Sequence, residues 1–565
     1  MSCIHKLEER TLSMTIGSNL RAHELGSKVA YEIYIRSFND SNGDGVGDLP
    51  GITARLDYLA DLGVDYLWIT PFFVSPLKDG GYDVADYRSI DPVFGTMDDF
   101  DELVREADAR GIGLMLDMVF NHTSDQHEWF QKALAGDPKY QAYYLLQDGE
   151  PGKPPTNWDS KFGGNAWEWS PEMGKWYLHL YDVSQPDLNW RNPEVREELA
   201  DVLRFWREKG VKGFRFDVVN NISKPETFED DFEGDGRRFY TDGTHVDEYL
   251  RELVAKGGID NLMTVGEMSS TTIEHCIEYT KPENHELAMA FSFHHFRVDN
   301  VNGNRWAKAK ANVPMLRDTF AGWQERMTEA GGWNAVFWTC HDQPRPSTRF
   351  GDDSTPELLN RSAKMLPICT FLMRGTPYIY QGEELGMTNP GFTSIDQYRD
   401  VESTNYYHIM QDEQGLSEPE AFEIIAYKSR DNGRTPVQWD DSANAGFTTG
   451  EPWIGVGSNY SWLNAKAEAA DPNSVFAFYK KLVALRKETE IIQAGDVRFL
   501  ESPAEKVIAY ERTLGDERIV VQCNFSGEEQ PAIELEGGEV LVSNYDEAVE
   551  TAILRPWEGT AIIWR

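Results

Sequence analysis

Gly213-Phe-Arg-Phe-Asp-Val-Val-Asn220 reads as a buried strand. Phe214, Phe216, Val218 and Val219 are apolar, and the interruptions are Arg215 and Asp217. These two stand at i and i+2, so a strand presents both on one face. A cation and a carboxylate near the end of a core strand are costly unless they pair or are put to use. A satisfied ion pair and a catalytic pair are both open at this point, and the rest of the chain decides between them.

Working outward, short apolar runs recur: Val29–Arg36, Tyr66–Thr70, Leu114–Phe120, Gly213–Val219, Leu262–Glu267, Ala288–Phe293, Ala335–Thr339 and Pro377–Tyr380. Most gaps carry a helical pattern, as in Met97–Arg110, Glu194–Lys209, Val246–Lys256 and Pro356–Met373. Eight strand–helix alternations predict an α/β fold, a parallel (β/α)8 TIM barrel with its helices outside. Residues 28–120 and 191–488 form this barrel, closed by a helix over Ser474–Glu488. Residues 121–190, rich in Trp, Tyr, Pro and Gly, are an irregular domain inserted after strand three. A second long segment, from Gln381 to about Trp462, follows strand eight and builds part of the mouth. Residues 489–565 read as a small antiparallel β domain, with strands at Val507–Arg512, Ile519–Asn524, Val540–Ser543 and Ala561–Trp564. Residues 1–27 are expected to be disordered.

The formal net charge is -40. That argues against nucleic acid, where basic residues must replace counterions, and against an anionic membrane surface. Cys3, Cys276, Cys340, Cys369 and Cys523 are scattered without CxxC spacing, so neither a disulfide framework nor a zinc site is expected. With no apolar run of signal-peptide or membrane-spanning length, a cytoplasmic home is expected, and a monomer is expected alongside it.

In a parallel barrel the C-terminal strand ends meet over one opening. Strand three ends Asp117-Met-Val-Phe-Asn-His122, strand five Val265-Gly-Glu267, and strand seven Thr339-Cys-His-Asp-Gln343, while the loop after strand two holds Gly81-Tyr-Asp83. Carboxylates, two His and an Arg thus converge from distant parts of the chain. Without a nucleophilic Ser or Cys signature, they point to glycosidic bond cleavage, which needs one ionised and one protonated carboxyl. Asp217, beside Arg215, suits the nucleophile. Glu267 has no adjacent cation in sequence and suits the acid. Asp342 is the third group, and His122 and His341 are donors to sugar hydroxyls.

These four motifs resemble the α-amylase clan of retaining α-glucoside enzymes. The resemblance implies Asp217 as nucleophile, Glu267 as acid/base and Asp342 as transition-state stabiliser, with Asp83, Tyr82, His122, Arg215 and His341 around the glucose. Gln185-Pro-Asp-Leu-Asn-Trp190 and Ser429-Arg-Asp-Asn-Gly-Arg-Thr-Pro-Val-Gln-Trp439 are similar to its oligo-1,6-glucosidase branch. There the Asp83 and Arg434 positions grip the terminal glucose, and Val218 after the nucleophile goes with linkages other than α-1,4. Asp235-Gly-Arg-Arg-Phe-Tyr-Thr-Asp-Gly243, Gly266-Glu-Met-Ser-Ser-Thr-Thr272 and Phe291-Ser-Phe-His-His-Phe-Arg297 resemble branch members that hydrolyse a disaccharide phosphate, α,α-trehalose 6-phosphate. Cys340, where the family has Asn, and Arg297, where those members have Lys, are departures. Two other readings are an α-1,6-glucosidase acting on isomalto-oligosaccharides and a non-catalytic clan member. The latter is disfavoured by the three retained carboxylates.

A protein of this charge must place cations locally to hold a phosphorylated sugar. Candidates are His294, His295 and Arg297 after strand six, Arg237 and Arg238 after strand four, and Arg345. No organic cofactor is expected. Asp40-Ser-Asn-Gly-Asp-Gly-Val-Gly-Asp48 follows strand one. Asp40, Asn42, Asp44 and Asp48 fall at positions 1, 3, 5 and 9 of a calcium loop, with the Val46 carbonyl at 7. Position 12 is Gly51 instead of a bidentate Glu, so a structural Ca2+ or Mg2+ clip is expected and not an EF-hand.

Overall fold

The computed structural model describes residues 22–546, 549 and 552–565. Eight parallel strands close into a barrel: Ala30–Ile33, Tyr66–Ile69, Gly113–Met118, Gly213–Phe216, Met263–Met268, Met289–Ser292, Asn334–Val336 and Thr376–Tyr380. Each lies beside its successor and the last returns to the first, as strand–helix alternation predicts. The register matters for the chemistry: Asp117 of the third strand stands opposite Arg215 of the fourth, and Arg215 opposite Val265 of the fifth.

The chain divides into two compact units. The first comprises residues 68–105 and 113–292. Its helix Pro193–Glu208 shows why the pattern was readable. Asn192 caps it by accepting from the Glu194 N–H, and Pro193 opens it. Val195, Leu199, Val202, Leu203 and Trp206 form its buried stripe. The inserted region has a three-stranded antiparallel sheet of Leu146–Gln147, Trp167–Ser170 and Lys175–Leu178. Its core of Trp158, Trp167, Trp176, Leu178 and Tyr181 also takes in Val218 and Tyr240. The Trp158 indole donates to the Glu229 carbonyl (2.9 Å) and stacks on Phe239. At Gly236, where φ is +89°, a Cβ would lie 2.3 Å from the Trp158 ring. A glycine there lets the loop after strand four lie against the insert.

The second unit comprises residues 22–67, 106–112 and 293–565. Its segment after the eighth strand contains helices Val401–Asp412 and Glu418–Lys428. Its C-terminal sheet has five strands, the four expected and an additional edge strand, Asp496–Phe499. This sheet is tied to helix Pro356–Phe371 and the turn after it: Tyr510 donates to the Cys369 carbonyl (2.7 Å) and Arg512 to that of Leu372 (2.6 Å).

Two expectations need correction. The disorder expected for residues 1–27 does not hold at its end, while residues 1–21 and Cys3 lie outside the described residues. Ala22–Ser27 is a helix with Leu25 buried, and fully buried Arg486 donates to the carbonyls of Gly26, Phe371 and Gly375. No sequence pattern announces this, because Arg486 acts from 460 residues away. The fourth strand also ends sooner than expected. Asp217 is the first residue past it, and Val218 turns the chain at φ +37°, ψ +37°. A positive φ is a real outlier for a β-branched residue. Among the described residues no helix is long and apolar enough to cross a membrane.

Candidate active site

In the first unit Arg215 is the hub. It is 1% exposed, and Nη1 donates to Asp117 (2.6 Å) and Asp217 (2.7 Å) while Nη2 donates to Glu267. The guanidinium lies over the Trp68 and Tyr82 rings. Asp117 also accepts from the Trp68 indole (3.0 Å) and the Tyr82 hydroxyl (2.9 Å). Glu267 is therefore not without a cation, as its neighbours in sequence suggested. The strand register brings Arg215 to it. A lone guanidinium favours the ionised carboxyl. Three carboxylates on one guanidinium, however, leave an excess of negative charge, and a proton held by one of them relieves it. Burial, with Asp217 adding to it, pushes Asp117 up to about 6 against the pull of Arg215. Glu267 carries the same Arg contact with part of its side chain open to solvent.

His122 is buried, and burial holds its pKa below the ordinary value, so it is a neutral ring. It contacts the Tyr82 carbonyl (3.0 Å) and the Gln185 amide (3.2 Å). Gln185 also donates to Asp79 (3.1 Å). Asp83 is not placed to touch a sugar. It is fully buried and accepts from the Ser75 hydroxyl and the Lys78 and Asp79 N–H groups, so it shapes the loop. Asp79, three residues before Tyr82, is the carboxylate linked to His122 through Gln185. The sequence offered both in Lys78-Asp-Gly-Gly-Tyr-Asp83, and only packing distinguishes them.

In the second unit the seventh strand leads into His341 and Asp342. Buried Glu32, from the first strand, accepts from the His341 ring (2.6 Å) and its N–H (3.2 Å). Asp342 accepts from Arg434 (2.8 Å) and Arg430 (3.1 Å), and Arg434 also donates to the His341 carbonyl (2.8 Å). Arg430 in turn bonds Asp400 (2.8 Å). Burial opposes ionisation of Asp400, yet Arg430 and Arg434 hold it down at about 2. Sequence reasoning missed Glu32 and Arg430. Arg430 lies inside the quoted Ser429–Trp439 motif, and Glu32 is an acid in an otherwise apolar strand, so both left a signal.

The cations proposed for phosphate fare unequally. Arg345 is fully buried and donates to the Gln381 (2.5 Å) and Thr435 (3.3 Å) carbonyls, so it is not presented to a ligand. Arg237 pairs with Asp235 (2.7 Å), and Arg238 with Glu233 (2.6 Å) and Asp231 (2.9 Å). His295 is buried among Phe296 and Phe337, and His294 lies against Trp323. Arg297 is exposed.

In the 40–48 loop, Asp40 accepts from the N–H groups of Asn42, Gly43 and Gly45. Burial works against its charge, but Thr448 and these N–H groups hold its pKa below the usual range. Asp48 accepts from Ser41 and caps the next helix through the Gly51 N–H. Asn42 and Asp44 are exposed. No group of three or more His, Cys, Asp or Glu is placed to hold a metal among the described residues. The loop instead offers a mixed oxygen set of carboxylates, an amide and the Val46 carbonyl, which suits a hard cation.

A parallel barrel that gathers Asp117, Asp217 and Glu267 on one guanidinium at its strand ends has the paired carboxyls that carbohydrate cleavage requires. The chain belongs to the alpha-amylase family of glycoside hydrolases: the model of the alpha-amylase catalytic domain matches residues 32–495. It is 50% identical over 550 residues to a trehalose-6-phosphate hydrolase of Bacillus subtilis, covering 95% of this chain and 97% of that one. An oligo-1,6-glucosidase of Parageobacillus thermoglucosidasius is 46% identical over 552 residues, covering 94% and 97%. The crystal structure of Bacillus licheniformis trehalose-6-phosphate hydrolase superposes with a TM-score of 0.92 at 48% identity, covering 95% and 99%.

Proposed function

We infer that this glycoside hydrolase cleaves α,α-trehalose 6-phosphate to glucose and glucose 6-phosphate with retention. The observation that carries the reading is the Arg215-centred trio of Asp117, Asp217 and Glu267, in a chain half identical to a hydrolase of that substrate. Asp217 attacks C1 of the unphosphorylated glucose, and the bond to the bridging oxygen breaks. Glu267 gives its proton to that oxygen, and glucose 6-phosphate leaves. Glu267 then takes a proton from water, the water oxygen attacks C1, and glucose departs with Asp217 restored as a carboxylate.

Asp342 stabilises the transition state. Tyr82, Asp79, His122 and His341 hold the glucose, and Arg434 sets the position of Asp342. Arg297 is the candidate phosphate contact from the sixth strand's end. A cytoplasmic location fits this reading, because a charged sugar phosphate does not cross a bilayer unaided. We propose that Asp40, Asn42, Asp44, the Val46 carbonyl and Asp48 hold a structural Ca2+ or Mg2+, which serves to rigidify the loop after the first strand.

The test compares initial rates on trehalose 6-phosphate, trehalose and isomaltose at equal low concentration, with glucose and glucose 6-phosphate measured separately. Trehalose 6-phosphate is cleaved fastest, with equal amounts of the two products. Faster cleavage of isomaltose would make the enzyme an α-1,6-glucosidase, in line with its 46% identity to that relative.

A further inference from the structure

In so acidic a chain an enclosed amine with no carboxylate in hydrogen-bond or ion-pair contact among the described residues is an anomaly. Lys161, half-buried in the inserted region, carries one. Its Nζ donates to the Ser269 hydroxyl (2.8 Å) and lies 3.4 Å from the Tyr181 hydroxyl. The same nitrogen sits over the rings of Tyr181 and Tyr240, at 5.2 and 5.7 Å from their centroids. All of these partners are neutral, whereas the neighbouring Lys224 has Asp187 at 2.6 Å.

The position is specific. Ser269 follows Glu267 by two residues, at the end of the fifth strand. Tyr181 lies within electrostatic reach of both Asp217 and Glu267, and its ring is 5.2 Å from that of His122. Lys161 thus stands by the end of the acid/base strand, and Glu267 is the catalytic carboxylate whose charge reaches it. In a retaining cleavage the leaving group occupies the acid/base side, because its oxygen must take the proton there. Arg237 adds a second positive charge close by and bonds Tyr240.

Resting on the reading of the substrate given above, we propose that Lys161 is a specificity-determining residue that binds the 6-phosphate of the leaving glucose. A dianion needs a charge-assisted donor in a site that otherwise repels it, and Lys161 is a point charge whose third N–H is not taken by Ser269 or Tyr181. Burial first, then Arg237, hold the amine down at about 8, with Glu267, Lys224 and Asp187 the other charged groups facing it. A bound phosphate supplies the missing counter-charge. The Ser269 and Tyr181 hydroxyls fix the amine's place without neutralising it.

The experiment uses Lys161→Gln and Lys161→Arg in the full-length enzyme. Their kcat/KM values are measured on trehalose 6-phosphate and on p-nitrophenyl α-glucoside, whose leaving group carries no phosphate. Loss of a charge-assisted contact lowers the ratio of the two values about 10- to 100-fold in Lys161→Gln, mostly through KM, and Lys161→Arg recovers part of it. Inhibition of p-nitrophenyl glucoside hydrolysis by glucose 6-phosphate and by glucose gives an independent readout. The phosphorylated sugar inhibits wild type more strongly, and in Lys161→Gln the two inhibition constants converge. A wild-type preference for trehalose 6-phosphate that survives in Lys161→Gln overturns the assignment alone. A ratio that stays put while both activities fall makes Lys161 a support for Glu267, which also overturns it. If wild type shows no preference for the phosphorylated sugar, the substrate reading fails and the assignment falls with it.

Discussion

Replacing Arg215 by Lys keeps the charge and removes the fork. One ammonium on a flexible stem cannot reproduce contacts from Nη1 to Asp117 and Asp217 and from Nη2 to Glu267, all made by a side chain 1% exposed. If the substituted side chain keeps one of the three contacts, two charge-assisted hydrogen bonds are lost, about 3–6 kcal/mol in all. Felt in the transition state, that is a fall in kcat of about 10²- to 10⁴-fold. The direction on pH is also fixed. Arg215 holds the pKa of Asp117 down against burial, so weakening that contact raises it and moves the acid limb that Asp117 sets to higher pH. The assay is a pH–rate series on p-nitrophenyl α-glucoside, with circular dichroism to show that the variant is folded. A folded Arg215→Lys enzyme keeping more than a third of its activity, with its acid limb unmoved, would show that the guanidinium is an ion-pair filler and not the organiser of the site.

Asp79→Asn raises KM for every glucoside and leaves the fold intact, whereas Asp83→Ala loosens the loop and is seen as faster proteolysis between residues 75 and 85. Arg486→Met leaves the carbonyls of Gly26, Phe371 and Gly375 buried without a donor, costing at least about 3 kcal/mol, and the urea midpoint falls accordingly. Millimolar CaCl2 raises Tm relative to EDTA, and Asp44→Ala abolishes the difference. An identical Tm in both media refutes the metal loop.

The barrel was legible because each strand and helix carries its own periodicity. Phe214 and Phe216 mark a strand, and the stripe from Val195 to Trp206 marks a helix, with no knowledge of the rest of the chain. The catalytic carboxylates were legible because the fold collects strand ends at one face. What escaped depends on partners far away in sequence. Glu267 looked isolated because Arg215 is 52 residues distant, and Asp83 looked available because its burial beneath Ser75 is a fact of packing. Arg345 was credited to phosphate on its charge, and its true partners are main-chain carbonyls that no side-chain pattern reveals. The turn at Val218 escaped for the opposite reason: a valine reads as strand, and here the fold holds it against its preference.

That turn bears on the durability of the protein. A left-handed valine costs about 1–3 kcal/mol, recovered whenever the chain unfolds. Laboratory selection for heat resistance alone would favour Gly or Asn at position 218, because either relaxes the backbone. It would also free the carbonyl and carboxylate of Asp217 to wander, and the gain in lifetime would come with slower turnover. The strain at position 218 thus sets lifetime against the fixed placement of the nucleophile.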